Sequence, residues 1–249
     1  MTSNSADGPR GTLGTVRNAT VLLNLLSSGP AYQPLTELAE RSGMSLPTVH
    51  RLLRSLVVAG LVEQDAQSSR YGLGPGVVRL SEQYLSRLPV LRGLLPYLVE
   101  LRNLTKATIL VALLVRHEVA YIDRVDGEDI NGVFRTSHRV QPALDTAAGR
   151  ILLAHAPRDQ WDEAVGLAGR DAASLDQHRW AAEAYQLIVP PDPHDESEVA
   201  VPVADERGRV TAAIAASGSA GTFTEEVLVS RIVPHLQRAA RTAMRGNDA

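Results

Sequence analysis

Apolar positions along the first 75 residues repeat at helical spacing three times and then change period. Val16, Ala19, Leu22, Leu23 and Leu26 predict a first helix that starts from a Thr15 cap and stops at the breaker run Ser27-Ser28-Gly29-Pro30. Leu35, Leu38 and Ala39 predict a short helix over 36–42, with Gly43 placed for a left-handed C-terminal cap. Val49, Leu52, Leu53 and Leu56 predict a third helix, capped by Ser45, running to about Ala59 and ending at Gly60. The spacing then shortens. Residues 61–64 and 70–73 read as two short strands joined by Asp65-Ala66-Gln67-Ser68-Ser69. Three helices followed by a small hairpin make a winged helix-turn-helix over 15–74, preceded by a polar tail, 1–14, expected to be disordered.

Beyond Gly74-Pro75-Gly76 the pattern predicts a linker region at 75–89, carrying a connecting helix over 77–88, and a second helix over 90–104 after Pro89. Strands at 107–115 and 119–125 meet at the turn Arg116-His117-Glu118, and a further strand is predicted at 130–135. A helix over 146–156, shorter helices near 158–166 and 174–184, a hairpin of 197–205 with 209–217, and an amphipathic helix from 224 to about 244 complete the chain. Hairpin-connected strands with flanking helices predict an α+β domain over 90–249 built on an antiparallel sheet.

The third helix poses the functional question. Its inner side is apolar, whereas Ser45, Pro47, Thr48, His50, Arg51 and Arg54 share the outer side. A helix entering the major groove presents its first turns to base edges and its back to its own domain. Arg51 suits guanine O6 and N7, a bidentate pair worth about 1 to 3 kcal/mol of discrimination. The hydroxyls of Ser45 and Thr48 suit phosphate oxygens, and Arg54 lies one turn further along, where a phosphate would fall. In the wing, Ser69 and Arg70 are placed for the minor groove or backbone. Alone, such a helix reads as an ordinary solvated surface, but the order of parts favours a DNA-binding domain. A winged helix used for protein contacts, on a small-molecule sensor or enzyme, is the alternative.

Charge adds only local support. The chain as a whole carries −3, so there is no global basic signature, while residues 1–85 carry +1 and the remainder −4. Cysteine is absent, which excludes disulfides, a thiolate nucleophile and Cys-ligated zinc. No signal-peptide core opens the chain, and the most apolar run, Ile109 to Val115, is too short to span a bilayer, so a soluble cytoplasmic protein with no membrane partner is expected. Asp192, His194, Asp195 and Glu196 crowd a proline-bounded loop and read as solvated groups rather than metal ligands. His117, His138, His155, His178 and His235 show no ligand spacing, and Gly127, Gly132 and Gly149 form no phosphate-cradling loop. Ser217 and Ser219 lack a nucleophile-elbow context. No enzyme, no metal and no cofactor is expected.

Taken together, LTELAERSGMSLPTVHRLLRSLVVAGLVEQ, RYGLGPGVVRLSE, VQPALDTAAGRILLAHA and EVAVPVADERGRVTAAIAASG make the chain resemble an IclR-type transcriptional regulator over nearly its whole length. The resemblance implies an N-terminal winged helix-turn-helix, a connecting helix and a C-terminal GAF-like effector-binding domain. It implies a homodimer paired through the DNA-binding domains, often assembled into a tetramer, acting on double-stranded DNA at a near-palindromic operator under control of a small-molecule effector. By position, Ala147, Ala148 and Gly149 would offer backbone N–H groups to a ligand, and Glu198, Ala215 and Ser217 match pocket-facing positions. The chain departs from the family in AYQLIVPPDPHDESE, where a glycine-tyrosine segment is usual, and at Glu198, where a small residue or cysteine is common. A carboxylate facing the pocket would repel organic acids unless protonated, paired or turned outward.

Overall fold

The structure, a computed structural model, describes residues 14–128, 140–169 and 175–245. It divides into two compact units, Met1–Arg87 and Leu88–Ala249. The strand predicted at 130–135 and the tail before Gly14 lie outside the described residues.

In the first unit, α1 (Gly14–Ser27), α2 (Leu35–Ser42) and α3 (Leu46–Val58) precede a hairpin of β1 (Val62–Gln64) and β2 (Tyr71–Leu73) and then α4 (Gly76–Leu85). The apolar positions of the three helices converge on one core. Leu22, Leu38, Val49 and Leu53 are fully buried there, with Leu26, Leu52, Leu56, Val62 and Tyr71 around them. Each such side chain contributes about 1.5 to 3 kcal/mol on burial. Gly43 adopts the left-handed conformation at φ 67° and closes α2. Two capping expectations need correction. Helix α1 already includes Gly14, so Thr15 lies within its first turn. Ser45 does occupy the N-cap position of α3 in extended backbone, but its hydroxyl is hydrogen-bonded to the Thr48 hydroxyl at 2.8 Å and takes no backbone amide.

The second unit opens with α5 (Pro89–Thr105) and is centred on a six-stranded antiparallel sheet. Its strands are β3 (Thr108–Val115), β4 (Glu118–Val125), β5 (Val140–Pro142), β6 (Gln186–Ile188), β7 (Glu196–Ala204) and β8 (Val210–Ser219), in the spatial order β5-β4-β3-β8-β7-β6. Helix α6 (Ala147–Ala154) packs on one face through Ala147, Ala148, Ile151 and Leu152, against Leu110, Ala112, Val119, Tyr121, Ala200, Ala213 and Ala215. Alternation puts Val199, Val201 and Val203 on the opposite face, where α10 (Val233–Arg245) packs on β7 and α5 on β3. Cover on both faces explains why TILVALLV is a nearly unbroken apolar run.

Helices α7 (Arg158–Ala168) and α8 (Gln177–Ala182) flank α6, with Trp161 and Trp180 meeting edge to face at 5.3 Å. The C-terminal helix is not the single predicted run. A short turn α9 (Glu225–Val227) passes through a π-helical stretch, Leu228–Ile232, before α10 begins. Pro234 accounts for the wider turn, since it donates no amide hydrogen bond and its ring crowds the preceding turn.

Candidate nucleic-acid interface and effector site

The outer face of α3 is built as the residue pattern requires. Val49, Leu52, Leu53 and Leu56 are buried, while Ser45, Pro47, His50, Arg51 and Arg54 are exposed and Thr48 is half-buried. His50, Arg51 and Arg54 line one shallow groove with Ser55 and Val58. Among the described residues, Arg51, Arg54 and Arg70 enter no ion pair, so their guanidinium groups are available to an external anion.

The wing is held in shape by Asp65, whose carboxylate accepts the Ser68 amide and hydroxyl. Those two bonds hold its carboxyl below the usual range. Ser69 takes the left-handed conformation at φ 57°, and Ser69 and Arg70 stand exposed at the hairpin end. Ser45, Thr48, His50, Arg51 and Arg54 are therefore grouped on one helix and its N-cap, with Ser69 and Arg70 on the wing of the same unit.

The second candidate site lies where α6 meets the sheet. Glu198 and Ser217 are cross-strand partners, as are Ala200 and Ala215, and both pairs point toward α6. Glu198 is buried, with 8% of its surface exposed. Its Oε2 accepts the Ala147 amide at 3.0 Å, and its Oε1 accepts the Ala148 amide at 3.3 Å and the Tyr121 hydroxyl at 2.8 Å. Burial pushes the Glu198 carboxyl up, against the pull of these three donors. The Tyr121 hydroxyl is also pushed far up, by burial first and by Glu198 second, and so stays a donor.

Tyr121 and Glu198 stand on strands separated by β3 and β8, roughly 14 Å apart at strand spacing. They meet because Ala112, Ala213 and Ala215 leave the sheet surface low between them. The Gly149 amide donates to the Thr146 hydroxyl at 2.9 Å, and the Arg150 amide to the Thr146 carbonyl at 3.0 Å. Glycine is required at 149, because a Cβ there would lie 2.1 Å from the Ala143 carbonyl oxygen. Ser217 donates to Glu196 Oε1 at 2.7 Å.

Two family models match the chain: the IclR helix-turn-helix domain over residues 15–66, and the C-terminal domain of the bacterial transcriptional regulator IclR over 82–175. The chain is 30% identical over 220 residues to the HTH-type transcriptional regulator KdgR of Escherichia coli (strain K12), spanning 83% of this chain and 82% of that protein. The chain belongs to the IclR family of transcriptional regulators. Its fold matches the IclR-family regulator from Brucella abortus with a TM-score of 0.79, at 22% identity over 98% of this chain and 96% of that one. It also matches an IclR homologue from Microbacterium hydrocarbonoxydans complexed with 4-hydroxybenzoate, with a TM-score of 0.68, at 19% identity over 93% and 98%.

Sequence reasoning missed Tyr121 and Thr146 as site residues in this IclR-family chain, and read Glu196 as a solvated loop group, whereas it opens β7 half-buried and accepts from Ser217. Alternation along VAYIDRV puts Tyr121 on the inner face, yet its partner lies 77 residues away, and no local pattern encodes that pairing. In the proline-bounded loop, the Asp192 carboxylate accepts the His194 amide, and no group of metal-ligating side chains occurs among the described residues. Among the described residues no helix is long and apolar enough to cross a membrane.

Proposed function

We propose that this IclR-family regulator binds a near-palindromic operator sequence-specifically as a homodimer, and that a small molecule in the second unit modulates its affinity. One observation carries the reading: the outer face of α3 gathers exposed Ser45, His50, Arg51 and Arg54 on a helix whose other face is locked into the core. Ser45 and Thr48 suit phosphate oxygens at the helix start, Arg51 a guanine edge, and Arg54, Ser69 and Arg70 the flanking backbone. A second copy is supported by α4, where Leu80 and Tyr84, one turn apart, are 53% and 59% exposed. In a dimer the two α3 helices must meet half-sites about 34 to 36 Å apart, or a multiple of that, so small changes in their spacing change affinity.

The effector reading rests on the buried polar cluster beneath α6, in a fold shared with a structure described as complexed with 4-hydroxybenzoate. The site of action is the cytoplasm, where duplex DNA is reached.

Fluorescence anisotropy against DNA flanking the chain's own gene, with a scrambled duplex as control, tests the proposal. Arg51→Ala should weaken operator binding by roughly 5- to 150-fold, with a much smaller loss on scrambled DNA. Equal losses on both duplexes would remove base readout from Arg51, and no binding at low salt would remove the regulator reading.

A further inference from the structure

A helix start offers four unpaired amides, and the first question at any candidate anion site is where they go. In α6 all four are engaged within the chain: Thr146 with the Ala143 carbonyl at 3.4 Å, Ala147 and Ala148 with the Glu198 carboxylate, and Gly149 with the Thr146 hydroxyl. The seat that favours an external carboxylate, consecutive amides at the positive end of a helix, already holds one.

Resting on the effector reading above, we propose that Glu198 is a specificity-determining residue. It fills the anion seat of α6 from within, so the chain refuses effectors that present a carboxylate there and takes one whose contacting end is uncharged or cationic and donates hydrogen bonds.

The geometry supports this in two ways. First, displacing Glu198 would strip a carboxyl packed among Ala200, Ala215, Ala147 and Ala148, all fully buried, of the two α6 amides it accepts. Burying a carboxyl that has lost hydrogen-bond donors is costly, and that cost counts against any ligand that must displace it. The oxygens of Glu198 occupy the two amides whether the group is ionised or protonated. Second, Glu196 stands two residues before Glu198 on the same face of β7, half-buried, and accepts from Ser217. The charge of Glu196 beside the seat repels an incoming anion and favours a donor or a cation.

Glu198→Ala empties the seat while leaving the amides in place, so a small acid should rescue it. The full-length variant is unfolded thermally at pH 7.5 with acetate or propionate, and with sodium chloride at matched ionic strength. The midpoint is expected to rise by about 3 to 6 °C once the acid reaches roughly ten times its Kd, while chloride gives no such rise and the wild type does not respond to either acid. A folded Glu198→Ala that ignores both acids overturns the proposal. So does a wild-type chain stabilised by them as strongly as the variant.

Should the variant not fold, wild-type amide spectra decide the matter. Propionate should leave the Ala147 and Ala148 resonances in place, and a saturable shift of both would overturn the proposal. Neither readout involves DNA, so failure here leaves the duplex-binding test standing, and failure there leaves this one.

Discussion

Gln33 and Tyr71 exchange both of their backbone hydrogen bonds, at 2.8 and 2.9 Å, and so tie the second strand of the wing to the loop between α1 and α2. The Gln33 side chain secures that loop in turn. Fully buried, it donates to the Leu25 carbonyl at 2.9 Å and accepts from Arg41 at 2.7 Å. Replacing it by leucine leaves the part-buried Leu25 carbonyl without this donor and Arg41 without this acceptor, at a cost of about 1 to 3 kcal/mol. Hydrogen exchange at the Tyr71 amide should accelerate by roughly 5- to 150-fold in Gln33→Leu. Unchanged protection at Tyr71 would show that the wing is held by β1 alone.

Arg54 and Arg70 should behave differently from Arg51. A guanidinium that neutralises a phosphate carries no base information and releases counterions when it binds. Arg54→Ala is expected to weaken operator and scrambled duplex alike, and to flatten the slope of log affinity against log salt by about 0.9. Arg70→Ala should do the same from the wing. A salt slope equal to that of the wild type would take these residues off the DNA backbone.

The first unit was legible because its signals are local. Helical spacing in LPTVHRLLRSLVV, a glycine at the left-handed position after α2 and a period change after Gly60 each decide structure within a few residues. The second unit was legible only in part. Its long hairpins and α6 declared themselves, but β5 and β6 are three residues each, too short for alternation to register. The π-helical turn before Pro234 is signalled in the sequence only by the missing proline amide. The resemblance matches Glu198 to a pocket-facing position and leaves open whether it is protonated, paired or turned outward: Ala147, Ala148 and Tyr121 reach it across 51, 50 and 77 residues. Such pairings depend on sheet order, which one sequence does not display.

Gly149→Ala tests how closely α6 is pressed against the 3-10 turn Ala143–Asp145. The added Cβ would meet the backbone of Ala143 rather than a flexible side chain, so α6 or the turn must shift, at about 1 to 3 kcal/mol or more. Gly166→Ala on α7 is the control. A Cβ there meets nothing within 4 Å, and the substitution should stabilise by roughly 0.5 to 1 kcal/mol through helix propensity. Trp161 and Trp180 share a core cluster with Ala143 and Leu153, so tryptophan fluorescence in urea reads both variants. A Gly149→Ala midpoint at or above the wild type would show that the turn yields freely.

Glu198 also gives the second unit a pH dependence of unusual sign. Burial raises its carboxyl first, the Tyr121, Ala147 and Ala148 donors lower it, and the charge of Glu196 raises it again, for a net upward shift. Between the ordinary carboxylate range and the raised value, the folded chain keeps a proton that the unfolded chain has lost. Stability therefore falls as pH rises through that window, at up to about 1.4 kcal/mol per pH unit. Asp65 and Asp205, both lowered by hydrogen bonds, act in the opposite direction, since their stabilisation is present at neutral pH and lost on acidification. Subtracting the profile of Glu198→Gln from that of the wild type cancels those two groups and isolates Glu198. The difference, read by tryptophan fluorescence, should decline as pH rises above the ordinary carboxylate range and level off once the raised value is passed. A flat difference would mean that the amides of α6 and the Tyr121 hydroxyl outweigh burial and hold Glu198 ionised throughout.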